Sequence, residues 1–420
     1  MIDSGKDKPK RPLSLSTTMM RVFRSKGWVF PLLSVLAVIY FVLFFSSSPI
    51  PENTILETPP PPHPLSRLTQ ERRALLASVL AHIRIGYVAN RTPDTDTPPL
   101  VVIYRCKETK CEFALNLKAI STAYLFAMLQ EGAAMGFLMG NIPLQWEWYF
   151  EPVPRYMALS TQQTSMYRER ANPETIYSME ISTQVLANTD FASQFRSKQV
   201  RILEATHWGR WTALKTSQWM KPMRGKYRID ELSESEWFWV ASRLLFNPTD
   251  WLLEQLKPFE MLLGGHLRWS DSLALHDPTS YIAPSVSRWL RIGLRGDSIL
   301  KSCLVQQIES LCGNIPKNMC HVFVSSSTAG DLHDLLKTLK AYATVYVLPD
   351  AFGFSSSTNG DQRMLYVRPF LEWTILSRMD RLLGPLNDEF FQSSAWAAQV
   401  HTDLVSVNHM GCHFKVLESW

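Results

Sequence analysis

The run Arg288-Trp-Leu-Arg-Ile-Gly-Leu-Arg-Gly-Asp-Ser298 holds the residues whose types and order most readily do chemistry. Trp289, Leu290, Ile292 and Leu294 read as a short buried strand, followed by Arg295, Gly296 and Asp297 and then by a long helical pattern. An arginine where a strand gives way to a helix can grip two oxygens of a phosphate with its planar fork, beside the free N–H groups of the helix start. The competing reading is an ordinary ion pair of Arg295 and Asp297 at a strand end. A second stretch, Ile142-Pro-Leu-Gln-Trp-Glu-Trp-Tyr-Phe-Glu-Pro152, mixes aromatic rings with the carboxylates of Glu147 and Glu151. It reads equally as a core loop or as a sugar-facing platform, because aromatic faces stack on apolar sugar faces and carboxylates bind hydroxyls. A third, His82-Ile-Arg-Ile-Gly86, has the order of a phosphate-gripping motif. Its Arg84 continues a helical pattern four residues after Leu80, so no sheet edge presents it to a ligand.

The elements that must position these residues follow from periodicity. Thr69, Gln70 and Glu71 read as a helix start, with Leu68, Leu75, Leu76, Val79 and Ile83 on one face. Leu100–Tyr104 reads as a buried strand, 112–130 as a helix and 134–139 as the next strand, a βαβ opening. Residues 155–285 read as a helical middle; within it, 236–256 is two helical pieces broken at Pro248, whose Trp237, Trp239, Phe246 and Trp251 are packing residues. Beyond residue 298 the alternation is regular: helix 299–311, strand 321–325, helix 331–342, strand 344–348, strand 364–367, helix 372–378, strand 381–383 and a last helix 389–400. The expected fold is α/β, with two Rossmann-like lobes facing a cleft.

The chain has 420 residues, 46% of them apolar and 19% charged, enough for a large core. Its net charge of +5 belongs to the N-terminal tail: residues 1–27 hold seven of the 43 basic residues and two of the 38 acidic ones, leaving 36 of each in the remainder. A basic face for nucleic acid is therefore not expected. Residues 28–45 are 18 in a row without a charge, flanked before by Arg21, Arg24 and Lys26, which predicts a signal anchor with a cytosolic N-terminus. The short span fits the thinner membranes of the early secretory pathway. A proline-rich stem carrying one helix is expected over 46–99, with lobes over 100–285 and 286–420. All six cysteines follow the span, where disulfides persist, and spacing leaves their pairing open. Asn90-Arg91-Thr92 is a glycosylation acceptor sequence. No Cys-x-x-Cys pair or histidine cluster calls for a metal.

Four motifs in order carry a resemblance. Ile292-Gly-Leu-Arg-Gly-Asp-Ser298, Val322-Phe-Val-Ser-Ser-Ser327 and Glu372-Trp-Thr-Ile-Leu-Ser-Arg-Met-Asp-Arg-Leu-Leu383, preceded by Tyr104-Arg-Cys-Lys-Glu108 with Pro143–Pro152, resemble the GT-B fucosyltransferases of the α1,2/α1,6/protein-O superfamily, and in the N-terminal part their plant xyloglucan-type branch. The resemblance spans roughly residues 100–400. It implies a Golgi type II membrane enzyme that moves fucose from GDP-fucose to a glycan hydroxyl with inversion and without a metal. Arg295 would hold the diphosphate, beside Asp297; Ser325 and Ser326 would lie next to the nucleotide; Glu372 would accept N–H bonds from guanine; Ser377 and Asp380 match the last motif, or simply cap its helix-to-strand turn. Glu147 and Glu151 are the candidate bases for the acceptor hydroxyl. The sequence departs from the family at Glu112–Asn116, which lacks the Gly-x-Gly-(Asp/Asn)-Arg helix start, at Pro385–Phe390, and at Gly293, where a histidine is usual. These departures define the alternative: a catalytically inactive luminal protein of the same fold that binds glycans or acts as a scaffold.

Overall fold

The computed structural model describes residues 69–90, 100–106, 113–130, 133–138, 144–152, 158–208, 211–259, 281–286, 296–314, 316–326, 332–349, 361–379, 381–386, 388–408 and 411–416. All of them belong to one compact unit, Pro62–Trp420. Two sheets organise it. The first holds β1 (Val101–Arg105), β2 (Ala134–Leu138), β4 (Ile176–Ile181) and β5 (Ile202–Trp208) in the order β2-β1-β5-β4, all parallel. A two-stranded antiparallel ribbon, β3 (Phe150–Glu151) with β6 (Asn247–Pro248), stands apart from it. The second sheet runs β10 (Thr344–Tyr346), β8 (His321–Phe323), β7 (Tyr281–Val286), β11 (Arg381–Pro385), β12 (His401–Asn408), β13 (Gly411–Val416), with β9 (Ser325–Ser326) also paired to β7. It is parallel except for the closing β12–β13 pair.

The βαβ opening falls where periodicity predicts it, with the helix Phe113–Leu129 between β1 and β2. The expected helical middle is different: β4 and β5 lie inside it and complete the first sheet. Glu204, with Thr206 and His207, disguises β5, since these polar residues break up its apolar run. The burial of Glu204 is compensated by Arg105 and Arg168, whose nitrogens lie 3.1 and 2.7 Å from its two oxygens. Residues 364–367, read as a strand, are instead a 3-10 turn (Gln362–Leu365) and the start of the helix Val367–Leu376. Asp361 caps that turn by accepting the Arg363 N–H at 3.0 Å, and Pro369 falls in the first turn, where a missing N–H costs nothing. The helix is apolar on nearly all sides, so a four-residue window carries no period to separate helix from strand. The expected last helix ends at Ala398 and β12 and β13 follow, with Gly411 at φ +113°, a conformation suited to glycine.

The helix Gln70–Asn90, read as part of a stem, is packed into the body. Leu76, Val79 and Ile83 are fully buried in the main core. Arg72 reaches Glu236 at 2.7 Å on the helix Glu234–Leu245. Arg84 rides on this helix, as its spacing predicts. One continuous core joins side chains of both sheets, through Tyr104 and Leu203 on one side and Phe370, Trp373, Leu382 and Trp396 on the other. Ring contacts cross between them: Phe113 with Phe370 at 4.7 Å, Tyr149 with Phe370 at 4.0 Å, Phe238 with Trp396 at 5.6 Å. Trp237, Trp239 and Phe246 are buried, as packing residues should be. Cys303 is bonded to Cys412 and Cys312 to Cys320, and Cys106 is also disulfide-bonded. Among the described residues no helix is long and apolar enough to cross a membrane; the expected span over 28–45 lies outside them.

Candidate functional site

Ligands of open parallel sheets sit beyond the carboxyl ends of the strands, where helices begin. In the second sheet β7 ends at Val286 and the helix Gly296–Cys312 begins ten residues later. The apolar run 289–294 and Arg295 lie between them, outside the described residues. Asp297 is the second residue of the helix. Ser325 and Ser326 form β9, paired in parallel with Ser285 and Val286 at the end of β7. The helix start expected after Arg295 is present at Gly296; the strand expected over 289–294 lies outside the described residues, and the strand that precedes the helix among them is β7.

Ser325 and Glu372, 47 residues apart, are brought into contact. The Ser325 hydroxyl donates to Glu372 Oε2 at 2.9 Å, and Arg368 Nε donates to Oε1 at 2.9 Å. All three are buried, with exposures of 2%, 6% and 7%. Arg368 precedes Glu372 by four residues, the spacing that stacks side chains on one helix face. That spacing was the signal for Arg368, which the motif order does not single out. Both Glu372 oxygens therefore hold protein donors. Ser377 follows the helix Val367–Leu376; its hydroxyl donates to Thr374 O at 3.0 Å and accepts from Arg378 Nη1 at 3.3 Å. This is the capping role. Asp380 lies outside the described residues.

Beside this end of the helix stands Arg243, from Glu234–Leu245. Its guanidinium lies 3.9 Å from the Trp239 ring centroid and donates to Ala397 O at 3.2 Å. Burial, with repulsion from Arg378, lowers its pKa well below that of an ordinary guanidinium; burial pulls Arg378 to about 9. Neither arginine is marked by a motif, and their proximity is a tertiary fact.

Glu147 and Glu151 line one cavity of about 580 Å³, together with Met135 and Phe137 of β2 and Ser160 to Gln163 at the start of the helix Thr161–Arg170. Glu147 accepts two bonds from Thr161, its N–H at 2.9 Å and its hydroxyl at 2.6 Å. A carboxylate there is favoured by the helix dipole. Glu151 lies in the β3–β6 ribbon, opposite Asn247. The aromatic part of the stretch divides: Trp146, Tyr149 and Phe150 are all buried in the core, and Trp146 and Phe150 also line the cavity with the two acids, while Tyr149 does not. The core-loop reading describes Tyr149, and both readings apply to Trp146 and Phe150. Volume and lining suit one or two sugar rings.

Among the described residues no group of three histidine, cysteine, aspartate or glutamate side chains is placed to hold a metal ion.

No family model matches the sequence. No curated protein matches it either. Solved structures do. FUT1 of Arabidopsis thaliana, an arginine-to-lysine mutant in complex with GDP, aligns with a TM-score of 0.50 at 12% identity, over 85% of this chain and 83% of that one. The fucosyltransferase NodZ from Bradyrhizobium gives 0.45 at 11% identity, over 77% and 99%. POFUT1 in complex with GDP gives 0.40 at 13%, over 72% and 96%. The fold assignment rests on FUT1, the one of these three that reaches 0.50. That likeness shows that this mixed α/β chain with parallel sheets shares the fold of FUT1, in a divergent sequence.

Proposed function

We propose that this protein is a type II Golgi membrane glycosyltransferase that moves fucose from GDP-fucose to a glycan hydroxyl with inversion and without a metal. The observation that supports the reading is the fold shared with a GDP-bound protein across most of the chain, together with the contact of Ser325 with Glu372, two residues to which the resemblance gives the nucleotide. In this reading Arg295 neutralises charge growing on the leaving diphosphate, a task a fixed guanidinium performs without a metal ion. Ser326 and Asp297 stand at the same strand and helix ends, and Asp380 completes the last motif. Glu151 or Glu147 takes the proton of the acceptor hydroxyl while that oxygen attacks the sugar carbon and the C–O bond to GDP breaks. The span over 28–45 is the anchor, residues 46–69 the stem ahead of the packed helix Gln70–Asn90, and the first and second sheets the acceptor and nucleotide lobes, with β7 in the second. The disulfides support an oxidising lumen.

One observation favours the alternative, a non-catalytic luminal glycan-binding or scaffold protein: Glu372 is 6% exposed and already holds Ser325 and Arg368 as donors, so guanine reaches this acid only if neighbouring side chains move aside. Melting curves separate the two. At a hundredfold excess over its dissociation constant a nucleotide adds about 2.7 kcal/mol of stability. GDP is expected to raise the melting temperature of the luminal chain, UDP and CDP to leave it in place, and Arg295→Ala to abolish the GDP shift. A GDP shift with no release of fucose from GDP-fucose, across galactoside acceptors, would move the assignment to the non-catalytic alternative.

A further inference from the structure

A second cavity, of about 830 Å³, lies at the opposite edge of the first sheet from the one where parallel strands present their ligands. Leu100, Thr175, Val200 and Arg201 line it, the residues that lead into the amino ends of β1, β4 and β5. It is therefore separate from the carboxyl-edge chemistry described above. Three side chains on its wall stand out. Trp219 is 49% exposed, the largest aromatic surface left to solvent among the described residues. Arg196 and Arg201 are exposed, and neither guanidinium makes a hydrogen bond or ion pair among the described residues. Five other arginines of this part of the chain, Arg72, Arg105, Arg168, Arg224 and Arg228, pair with carboxylates; Arg170, also exposed, lies outside this cavity. The one acid on the cavity wall, Asp190, is engaged at a helix start, where it accepts the Ser193 N–H at 3.1 Å.

The backbone between the two arginines is held in an uncommon shape. Gln199 adopts φ +50°, a left-handed conformation that a non-glycine residue takes at some cost. Val200 N–H donates to Phe195 O at 3.0 Å, which closes the turn and brings Arg201 back beside the helix that carries Arg196. The amides of Gln130 and Gln199 complete the polar part of the wall.

We infer that this amino-edge cavity is a second glycan-binding site, selective for a carboxylated sugar: the Trp219 ring stacks on the apolar face of a pyranose, and Arg196 and Arg201 take the carboxylate. Rings at a surface bind sugars through such faces, and the guanidinium fork matches a carboxylate in two parallel N–H bonds. The site would hold an acidic stretch of a glycan and leave the first cavity free. The inference does not rest on the transferase reading.

The test uses the intact luminal chain and two carboxylated probes, tri-galacturonate and a hyaluronan tetrasaccharide, with methyl-esterified tri-galacturonate and inorganic sulfate as controls. Binding is read by calorimetry and by quenching of tryptophan fluorescence. At least one carboxylated probe is expected to bind, its fully esterified form about tenfold or more weaker, as loss of a charge-assisted bond implies. Arg201→Gln and Arg196→Gln should each weaken binding by a similar factor, and Trp219→Ala should remove both binding and quenching. Because all three side chains are exposed, the variants should melt at the wild-type temperature and keep whatever response to GDP the wild type has. Failure of both acidic probes to bind, equal binding of acid and ester, sulfate binding as tight as that of the sugar, or binding untouched by the three substitutions overturns the site. The GDP response in the same samples reports on the transferase reading alone, so the two can fail independently.

Discussion

Glu372 shows how much one carboxylate can be asked to do. Its oxygens hold a buried hydroxyl and a buried guanidinium, so neutralising it strands the Arg368 charge. Glu372→Gln should lower unfolding stability by about 3 kcal/mol, and Ser325→Ala, which removes one bond to a charged acceptor, by about 1.5 kcal/mol, both read from urea unfolding. A loss within error for Glu372→Gln would mean that the acid is not held as the contacts indicate. Glu204 offers a pH readout at the same scale. Burial alone would raise its pKa, but hydrogen bonds and charge from Arg168 and Arg105 outweigh it, and the net value lies below the ordinary 4.5. A lowered carboxylate contributes stability that is complete above 4.5 and is lost as pH falls through its folded value. Glu204→Gln should therefore destabilise the protein near neutral pH and flatten the fall of melting temperature below pH 4.5. A variant that tracks the wild-type curve at constant offset would remove Glu204 from the acid response.

At the scale of elements, contacts between helix and strand set the positions of the candidate groups. Gly384 in β11 lies under Phe391 of the helix Glu389–Ala398; a Cβ there would come within 2.6 Å of the ring's Cδ2. Phe391 is fully buried and has no room to retreat. Gly384→Ala should cost about 1–3 kcal/mol by overpacking, checked by thermal unfolding, and should leave the far-UV spectrum native. The same helix meets the first sheet's helix Phe113–Leu129 through Lys118, which bonds Glu389 and Gln392 and lies 4.1 Å from the Trp396 ring centroid. Glu389 is half exposed, so that ion pair adds little; the ring contact of Phe113 with Phe390, 5.6 Å between centroids, carries the joint. These elements also show where periodicity reads well. The helix Gln70–Asn90 and the β1-helix-β2 unit have long or clean patterns and were legible from spacing. β5 and β12 were not, because Glu204 and Asp403 sit inside them, and neither were β4 and β13, where Ser178, Glu180, His413 and Lys415 interrupt the apolar residues. Asp403 is 3% exposed, with Arg381 at 2.7 Å and His401 at 3.1 Å, and only those partners make a carboxylate acceptable in a buried strand.

For the molecule as a whole, the Cys303–Cys412 disulfide ties the helix after β7 to the last strand, across 109 residues. In the chain-entropy account, closing a loop of that size restrains the unfolded chain by about 4.7 kcal/mol. The double variant Cys303→Ser/Cys412→Ser should lose most of that, seen as a lower denaturant midpoint with a slope equal to or steeper than wild type, as the released unfolded chain exposes more surface. A midpoint within error of wild type would remove the bond from the stability of the fold. The bond encloses the stretch that holds Ser325, Glu372 and Ser377.

The amino-acid sequence by itself determined the alternation of strand and helix after residue 298, the apolar faces that fill the core, and the presence of acids and serines in a recognisable order. Those are properties of neighbouring residues, carried by period and spacing. It could not determine that Ser325 would bond Glu372 across 47 positions, that Arg243 would stand beside Arg378, or that Tyr149 would turn into the core while Glu147 and Glu151 lined a cavity. Each depends on which elements meet after the sheets assemble. A buried charge becomes tolerable only when a partner from elsewhere in the chain arrives beside it, and no local pattern records that arrival.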